Sequence, residues 1–356
     1  MPLIIEGGRV PGRWLERGNS RSVISIESHA KRKEGLNLAL INNMPDAALE
    51  DTELQFFELL DVASAEVPVF IRLYSLTGIP RTDRGQRHLN SFYYDFNDIW
   101  QNPFDGVIIT GTEPKEPDLQ DEPYWRLLAD VFDWAEKNTT STVLSCLAAH
   151  ASVLHGDGIG RHRLPDKQFG VFESRKMCEH VLLNDIGGTI RFPHSRWNEV
   201  RDNELTACGY SVIAKSADAG VDVFVKKKKR SLFVHFQGHP EYGAQTLAKE
   251  YRRDIRRFLR AERETHPTMP FGYFDESATQ ALNDFREQAL SHRHGDIMAS
   301  FPESVVEGLQ NPWHATAIGI YRNWFQYMAA NRASASVFAT MASSDRQGQC
   351  RLRAAP

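Results

Sequence analysis

Five short apolar runs, at 36–41, 69–76, 106–110, 142–145 and 232–236, constrain this chain more than any other feature. Each is apolar at consecutive positions, so both faces of the segment need cover, as in a sheet with helices on either side. Between them lie stretches with helical spacing, at 50–62, 124–137, 147–154 and 246–259. Strand alternating with helix predicts an α/β fold with a doubly wound, mostly parallel sheet. The segment 174–229 departs from that rhythm with shorter strand-like pieces, a Gly187-Gly188 turn and the basic run 226–230. We expect an antiparallel excursion there, with the lysines in a solvated hairpin turn rather than a phosphate or nucleic-acid patch.

After Arg260 the strand runs cease, and Trp313, Tyr321, Trp324, Phe325 and Tyr327 recur at near-helical spacing. They predict a C-terminal helix packed on the main domain or on a partner subunit. The expected organisation is an N-terminal arm at 1–35, a catalytic α/β domain at 36–265, a C-terminal extension packed on it at 266–330 and a flexible tail at 331–356. With 42 Lys+Arg against 46 Asp+Glu, the net charge of −4 gives no global reason to expect a nucleic-acid or anionic-membrane partner. No uncharged apolar run nears the ~18 residues that span a bilayer, and the first residues carry charge and glycine where a secretory signal needs an apolar stretch. Four cysteines, Cys146, Cys178, Cys208 and Cys350, lack the spacing of a metal knuckle or disulfide framework. The expectation is a cytoplasmic protein with free thiols and no metal.

Cys146 sits at an unusual place. In 140–156 an apolar strand runs directly into a helix of small residues that ends in glycine, and Cys146 falls at the junction. A side chain on such a turn projects at the carboxyl end of the sheet, where ligands bind, beside the positive end of the helix. That position suits a thiolate nucleophile, although a cysteine can also simply be packed there. A thiol nucleophile needs a base, and the base an orienter. Gly238-His239-Pro240-Glu241 follows another apolar strand and sets an imidazole beside a carboxylate at the matching strand end. Cys146, His239 and Glu241 therefore form a candidate triad, while His235, inside the strand, reads as a packed core histidine.

Seven collinear segments across about 36–330 resemble the homoserine O-acyltransferases of the class-I glutamine-amidotransferase-like superfamily, the homoserine O-succinyltransferase family. They are Ile41-Asn-Asn-Met-Pro45, Phe104-Asp-Gly-Val-Ile-Ile-Thr-Gly111, Tyr124-Trp125, Ser141-Thr-Val-Leu-Ser-Cys146, Lys167-Gln-Phe-Gly-Val-Phe-Glu173, Pro193-His-Ser-Arg196 and Gly238-His-Pro-Glu-Tyr242 with the helix to Asp254. The resemblance implies a flavodoxin-like sheet and a ping-pong transfer from succinyl-CoA to the hydroxyl of L-homoserine in methionine biosynthesis. Cys146 would carry the acyl group as a thioester, His239 would accept the proton and Glu241 would orient the histidine. It places substrate binding on Lys167, Ser195 and Arg253, treats acyl-CoA as a co-substrate with no further cofactor, and suggests a homodimer.

The chain also departs from the family. Asp46-Ala47-Ala48 stand where lysines usually follow the Met-Pro pair, and the turn Cys146-Leu-Ala-Ala-His150 lacks the Trp and Gln that commonly follow the cysteine. At the position that tends to be Gly for succinyl donors and Glu for acetyl donors, this chain has Lys115. A cation there would attract the succinyl carboxylate, which favours succinyl-CoA; transfer of acetyl, or serine as acceptor, is the alternative. A glutamine-amidotransferase-type hydrolase fits less well, because those enzymes surround the cysteine with glycines and this turn reads Leu147-Ala148-Ala149.

Overall fold

All five apolar runs are strands in a computed structural model that describes residues 3–6, 9–16, 35–64 and 67–351, with 333–351 described by backbone alone. In chain order the elements are β1 (Leu3–Ile5), α1 (Gly12–Glu16), β2 (Leu36–Ile41), α2 (Asp46–Ala63), β3 (Val69–Tyr74), α3 (Asp83–Phe92), β4 (Gly106–Ile109) and α4 (Trp125–Asn138). They continue with β5 (Ser141–Ser145), α5 (Leu147–Asp157), β6 (His162–Lys176), β7 (Thr189–Glu199), α6 (Asp202–Ala207), β8 (Ser211–Ser216) and β9 (Gly220–Lys228). Last come β10 (Ser231–Phe236), α7 (Thr246–Leu259), α8 (Glu276–Ser291) and α9 (His314–Arg351).

The strands form one sheet in the order β1-β3-β2-β4-β5-β10-β9-β8-β6-β7. From β1 to β10 every pairing is parallel. From β10 to β7 every pairing is antiparallel. The consecutive apolar residues of β2 divide between two cores: Leu36, Leu38 and Leu40 face α2, α7 and the C-terminal helices, whereas Ala39 and Ile41 face α4 and α5. Cover on both faces is what the apolar runs demanded, and the doubly wound α/β class follows directly.

Several elements differ from the sequence expectation. The antiparallel excursion begins at His162, not at 174, because the first part of β6 is largely exposed and its residues look like loop. Leu3, Ile4 and Ile5, expected as part of an arm, are buried and add an edge strand beside Val69–Ile71; three residues are too few to show a period. Positions 7–8 and 17–34 of that arm lie outside the described residues, as do 352–356 of the expected tail, whose preceding backbone is helical to Arg351. Helix α3 fully buries only Gly85 and packs just Leu89 and Phe92 on the core, a face too short and too polar to stand out in the sequence; its cap is Thr82, whose side chain accepts from the Gly85 N–H.

The basic run does lie on a hairpin, with Ser231 opposite Lys228 and Lys229 at φ 47° in the turn. Its lysines are paired, Lys226 with Asp157 at 2.6 Å and Lys229 with Glu136. The C-terminal aromatics pack on the main domain: Trp313, Tyr321, Trp324 and Phe325 are buried, and Trp324 Nε1 donates to Ser141 Oγ at 2.8 Å, at the start of β5. Trp313 Nε1 donates to the Tyr242 carbonyl at 2.7 Å, so the extension also braces the loop after β10. Among the described residues no helix is long and apolar enough to cross a membrane.

Candidate active site

The parallel pairing of β5 with β10 puts Ser145 opposite Phe236, so the two strands end at one level. Cys146 comes next, as the N-cap of α5, with φ 51° and ψ −109°. Glycine adopts such angles freely, but a residue with a Cβ is strained there and is held only by its surroundings. Here the Cys146 N–H donates to Phe236 O at 2.8 Å, locking the turn to the neighbouring strand tip. The small residues that follow, Ala148 and Ala149, are buried under the sheet edge. Gly111, after β4, lies so close to this turn that a Cβ there would come within 3.0 Å of the Leu147 nitrogen. Cys146 thus stands at the N-terminus of α5, the end of a helix that carries the unpaired N–H groups and the positive end of the dipole.

His239 and Glu241 arrive from the loop after β10. The His239 N–H donates to Pro193 O at 2.7 Å, and its Nδ1 lies 2.9 Å from Glu241 Oε1. Glu241 is fixed in turn by Ser145 Oγ at 3.1 Å. Burial disfavours a charge on His239, but the Glu241 carboxylate and the Cys146 sulfur, with hydrogen bonds to both, push its pKa well above the ordinary histidine range. The ring also stacks on Tyr242, with centroids 4.2 Å apart. The three candidate triad residues are therefore assembled, with the imidazole between thiol and carboxylate. His235, by contrast, is fully buried and stacks on Phe224 at 4.5 Å, with burial pushing its pKa well below the usual value, as befits a core residue.

Lys167, Ser195 and Arg253 come from three separate elements, β6, β7 and α7, and meet at one residue that sequence reading overlooked, Glu250. Its Oε2 accepts from Ser195 Oγ and lies 3.4 Å from Lys167 Nζ and 3.9 Å from an Arg253 nitrogen. Its Oε1 accepts from Tyr242 Oη at 2.8 Å. Burial raises the carboxyl pKa, yet Lys167, the Ser195 bond, Arg253 and the Tyr242 bond together lower it, so Glu250 stays ionised. Asp254 shares Lys167 at 3.4 Å and Arg253 at 3.0 Å. The Arg253 side chain remains 46% exposed, which leaves part of its guanidinium open to a ligand. The signal for Glu250 was its spacing: on a helix it shares a face with Arg253 and Asp254, three and four residues on.

Lys115 stands apart, with its side chain exposed on the loop after β4. What orders that loop is Glu122, a buried carboxylate that accepts from the Lys115 and Glu116 N–H groups. Glu113 on the same loop reaches Arg257 of α7 at 3.8 Å. Where lysines were absent after Met44-Pro45, Asp46 accepts from Thr82 N at 2.7 Å and Thr82 Oγ1 at 2.6 Å, and pairs with the buried Arg81 at 3.1 Å. That segment's cation is therefore Arg81, carried by the loop after β3. Among the described residues no cluster of three or more His, Cys, Asp or Glu side chains is arranged to hold a metal ion.

The sequence profile of the homoserine O-succinyltransferase family matches residues 3–335. A homoserine O-succinyltransferase of Rhodopseudomonas palustris is 41% identical over 313 residues, 86% of this chain and 94% of its own length. One from Methylorubrum extorquens is 42% identical over 303 residues, covering 85% of this chain and 89% of its own. Among solved structures, a glutamine amido transferase from Methylobacillus flagellatus aligns at a TM-score of 0.48 and 12% identity, over 84% of this chain and 95% of that one.

Proposed function

The chain belongs to the homoserine O-succinyltransferase family, and on that footing we propose that it transfers succinyl from succinyl-CoA to the hydroxyl of L-homoserine through a thioester on Cys146. One observation carries the reading: His239 bridges Cys146 and Glu241 at the joint ends of β5 and β10. With Nδ1 held by Glu241, the other ring nitrogen serves the sulfur, and the imidazole takes the thiol proton.

The thiolate attacks the succinyl-CoA carbonyl, and the tetrahedral oxyanion forms beside the start of α5. Collapse breaks the bond to CoA sulfur, which leaves as a thiol with the proton from His239. The acyl group passes from one thioester to another, so this step costs little. Homoserine then enters, its hydroxyl gives a proton to His239, and its oxygen attacks the acyl-cysteine. The second collapse frees O-succinylhomoserine and restores the thiolate–imidazolium pair.

The acceptor is an amino acid, and the ionised Glu250 with the half-open Arg253 offers one partner for an ammonium and one for a carboxylate. The succinyl preference rests on the relatives' names and on a cation, Lys115, on the donor loop. A cytoplasmic homodimer is the assembly we propose. Free Cys146, Cys178 and Cys208 suit a reducing compartment.

Incubation with succinyl-CoA and no acceptor should add one succinyl group to Cys146, seen by peptide mass, and none to Cys146→Ala. An unmodified wild-type Cys146 would overturn the thioester. A higher kcat/KM with acetyl-CoA than with succinyl-CoA would overturn the donor.

A further inference from the structure

Directly behind the catalytic loop lies a second histidine–carboxylate pair that the reaction scheme does not use. His194 Nε2 is 3.3 Å from Asp222 Oδ1, and both residues are fully buried. Ser174 Oγ donates to Asp222 Oδ2 at 2.9 Å. On the other side of the ring, Arg196 Nε donates to His194 Nδ1 at 3.2 Å. An Nδ1 that accepts leaves Nε2 as the N–H, so the neutral imidazole sits between a cation it bonds and an anion 3.3 Å away that it meets without hydrogen-bond geometry.

Arg196 is itself 4% exposed, and its other donors go to the carbonyls of Asn198 and Ala219 rather than to a carboxylate. A buried guanidinium with no direct counter-ion is costly unless an anion lies within reach. Burial draws its pKa down, and the charges opposing that are, in order, Cys146, Asp222 and Glu199.

The relay also meets the catalytic loop mechanically. The Gln237 N–H donates to Asp222 O at 2.8 Å and the His239 N–H to Pro193 O at 2.7 Å. Gly238 between them has no room for a side chain, since a Cβ would lie 2.8 Å from Asp222 Oδ1 and 2.9 Å from His194 Nε2.

We propose that Arg196, His194 and Asp222 form a second buried relay that seats the His239 loop and supplies a fixed positive charge favouring the Cys146 thiolate. The three are positioning residues. The charged and titratable groups facing Cys146 are then His239, backed by Glu241, the Tyr242 hydroxyl and Arg196; those facing His194 are Asp222, Arg196 and His239. The proposal deepens the reading of Cys146 as nucleophile, but its test needs neither acyl-CoA nor homoserine. Its failure is therefore separable from failure of the acyl-transfer scheme, which the succinyl adduct reports.

The experiment follows iodoacetamide alkylation of the Cys146 peptide by mass spectrometry across pH in full-length protein. Arg196→Gln removes the cation and should raise the midpoint by about half a pH unit or more, roughly threefold slower alkylation below it. Asp222→Asn keeps the shape, removes the anion and should lower the midpoint by a similar amount. Loss of structure alone cannot produce shifts of opposite sign. Unchanged midpoints, or shifts in the same direction, overturn the proposal. Should Arg196→Gln yield no folded protein, Asp222→Asn decides alone, and a midpoint that stays or rises overturns it.

Discussion

The two halves of the sheet are built on different rules and contribute different things to the site. The parallel half, β1 to β5 with β10, is buried on both faces and delivers Cys146, His239 and Glu241 at adjacent strand ends. The antiparallel half, β6 to β9, is exposed along much of β6 and delivers Lys167, Ser195 and the Arg196 relay. Parallel strands all point their carboxyl ends one way, so bond-making groups collect at one edge by topology alone. Antiparallel strands alternate direction, so their contributions come from mid-strand side chains aimed sideways at that edge. On the proposed function the labour divides: one half makes and breaks the acyl bond, and the other anchors Glu250 of α7 through Lys167 and Ser195 and sets the field.

Substitutions can break that division. The largest effect belongs to Cys146→Ala, which should lower acyl transfer by at least about 10⁴-fold with the fold retained, measured by steady-state turnover and circular dichroism. Glu241→Gln should lower kcat by about 10²–10⁴-fold and slow both half-reactions, because the histidine loses its orienter. In the antiparallel half, Lys167→Met should raise the acceptor KM about 10–100-fold while acylation of Cys146 stays within about twofold. Loss of acylation in Lys167→Met, followed by rapid quench, would collapse the distinction.

The last effect lies at the seam and concerns stability rather than turnover. His150 of α5 is 2.9 Å from Gln237 Oε1, and Gln237 also bonds Val200 and Val221 from the antiparallel half. Burial pushes the His150 pKa down to about 4 from 6.5, so the fold holds this ring neutral. Between those pH values the unfolded chain binds the extra proton, and stability present above about 6.5 is lost as pH falls toward 4, by up to about 3 kcal/mol. In His150→Asn the denaturant midpoint should fall less steeply over that window than in wild type.

The parallel half was legible in the sequence because its evidence is local: consecutive apolar residues with no polar face, then Cys146 or Gly238-His239-Pro240-Glu241 at the end of a run. The antiparallel half was legible only from about 174, since the exposed start of β6 carries the composition of a loop. Glu250 escaped notice because its spacing to Arg253 and Asp254 marks only a shared helix face, while its hydrogen-bond partners Ser195 and Tyr242 lie 55 and 8 residues away in sequence. Lys115 shows the reverse problem. Its expected role rests on its own charge, but the carboxylate ordering the loop is Glu122, whose partners are backbone N–H groups with no sequence signature.

The backbone at Cys146 also bears on how such a site persists. At φ 51° and ψ −109° the position favours glycine, and relief of its strain is worth about 1–3 kcal/mol. Cys146→Gly should therefore raise the melting temperature of a protein that no longer transfers acyl groups. Selection for a robust fold and selection for growth without supplied product pull this codon in opposite directions. A variant library screened for solubility alone would be expected to lose the cysteine there first.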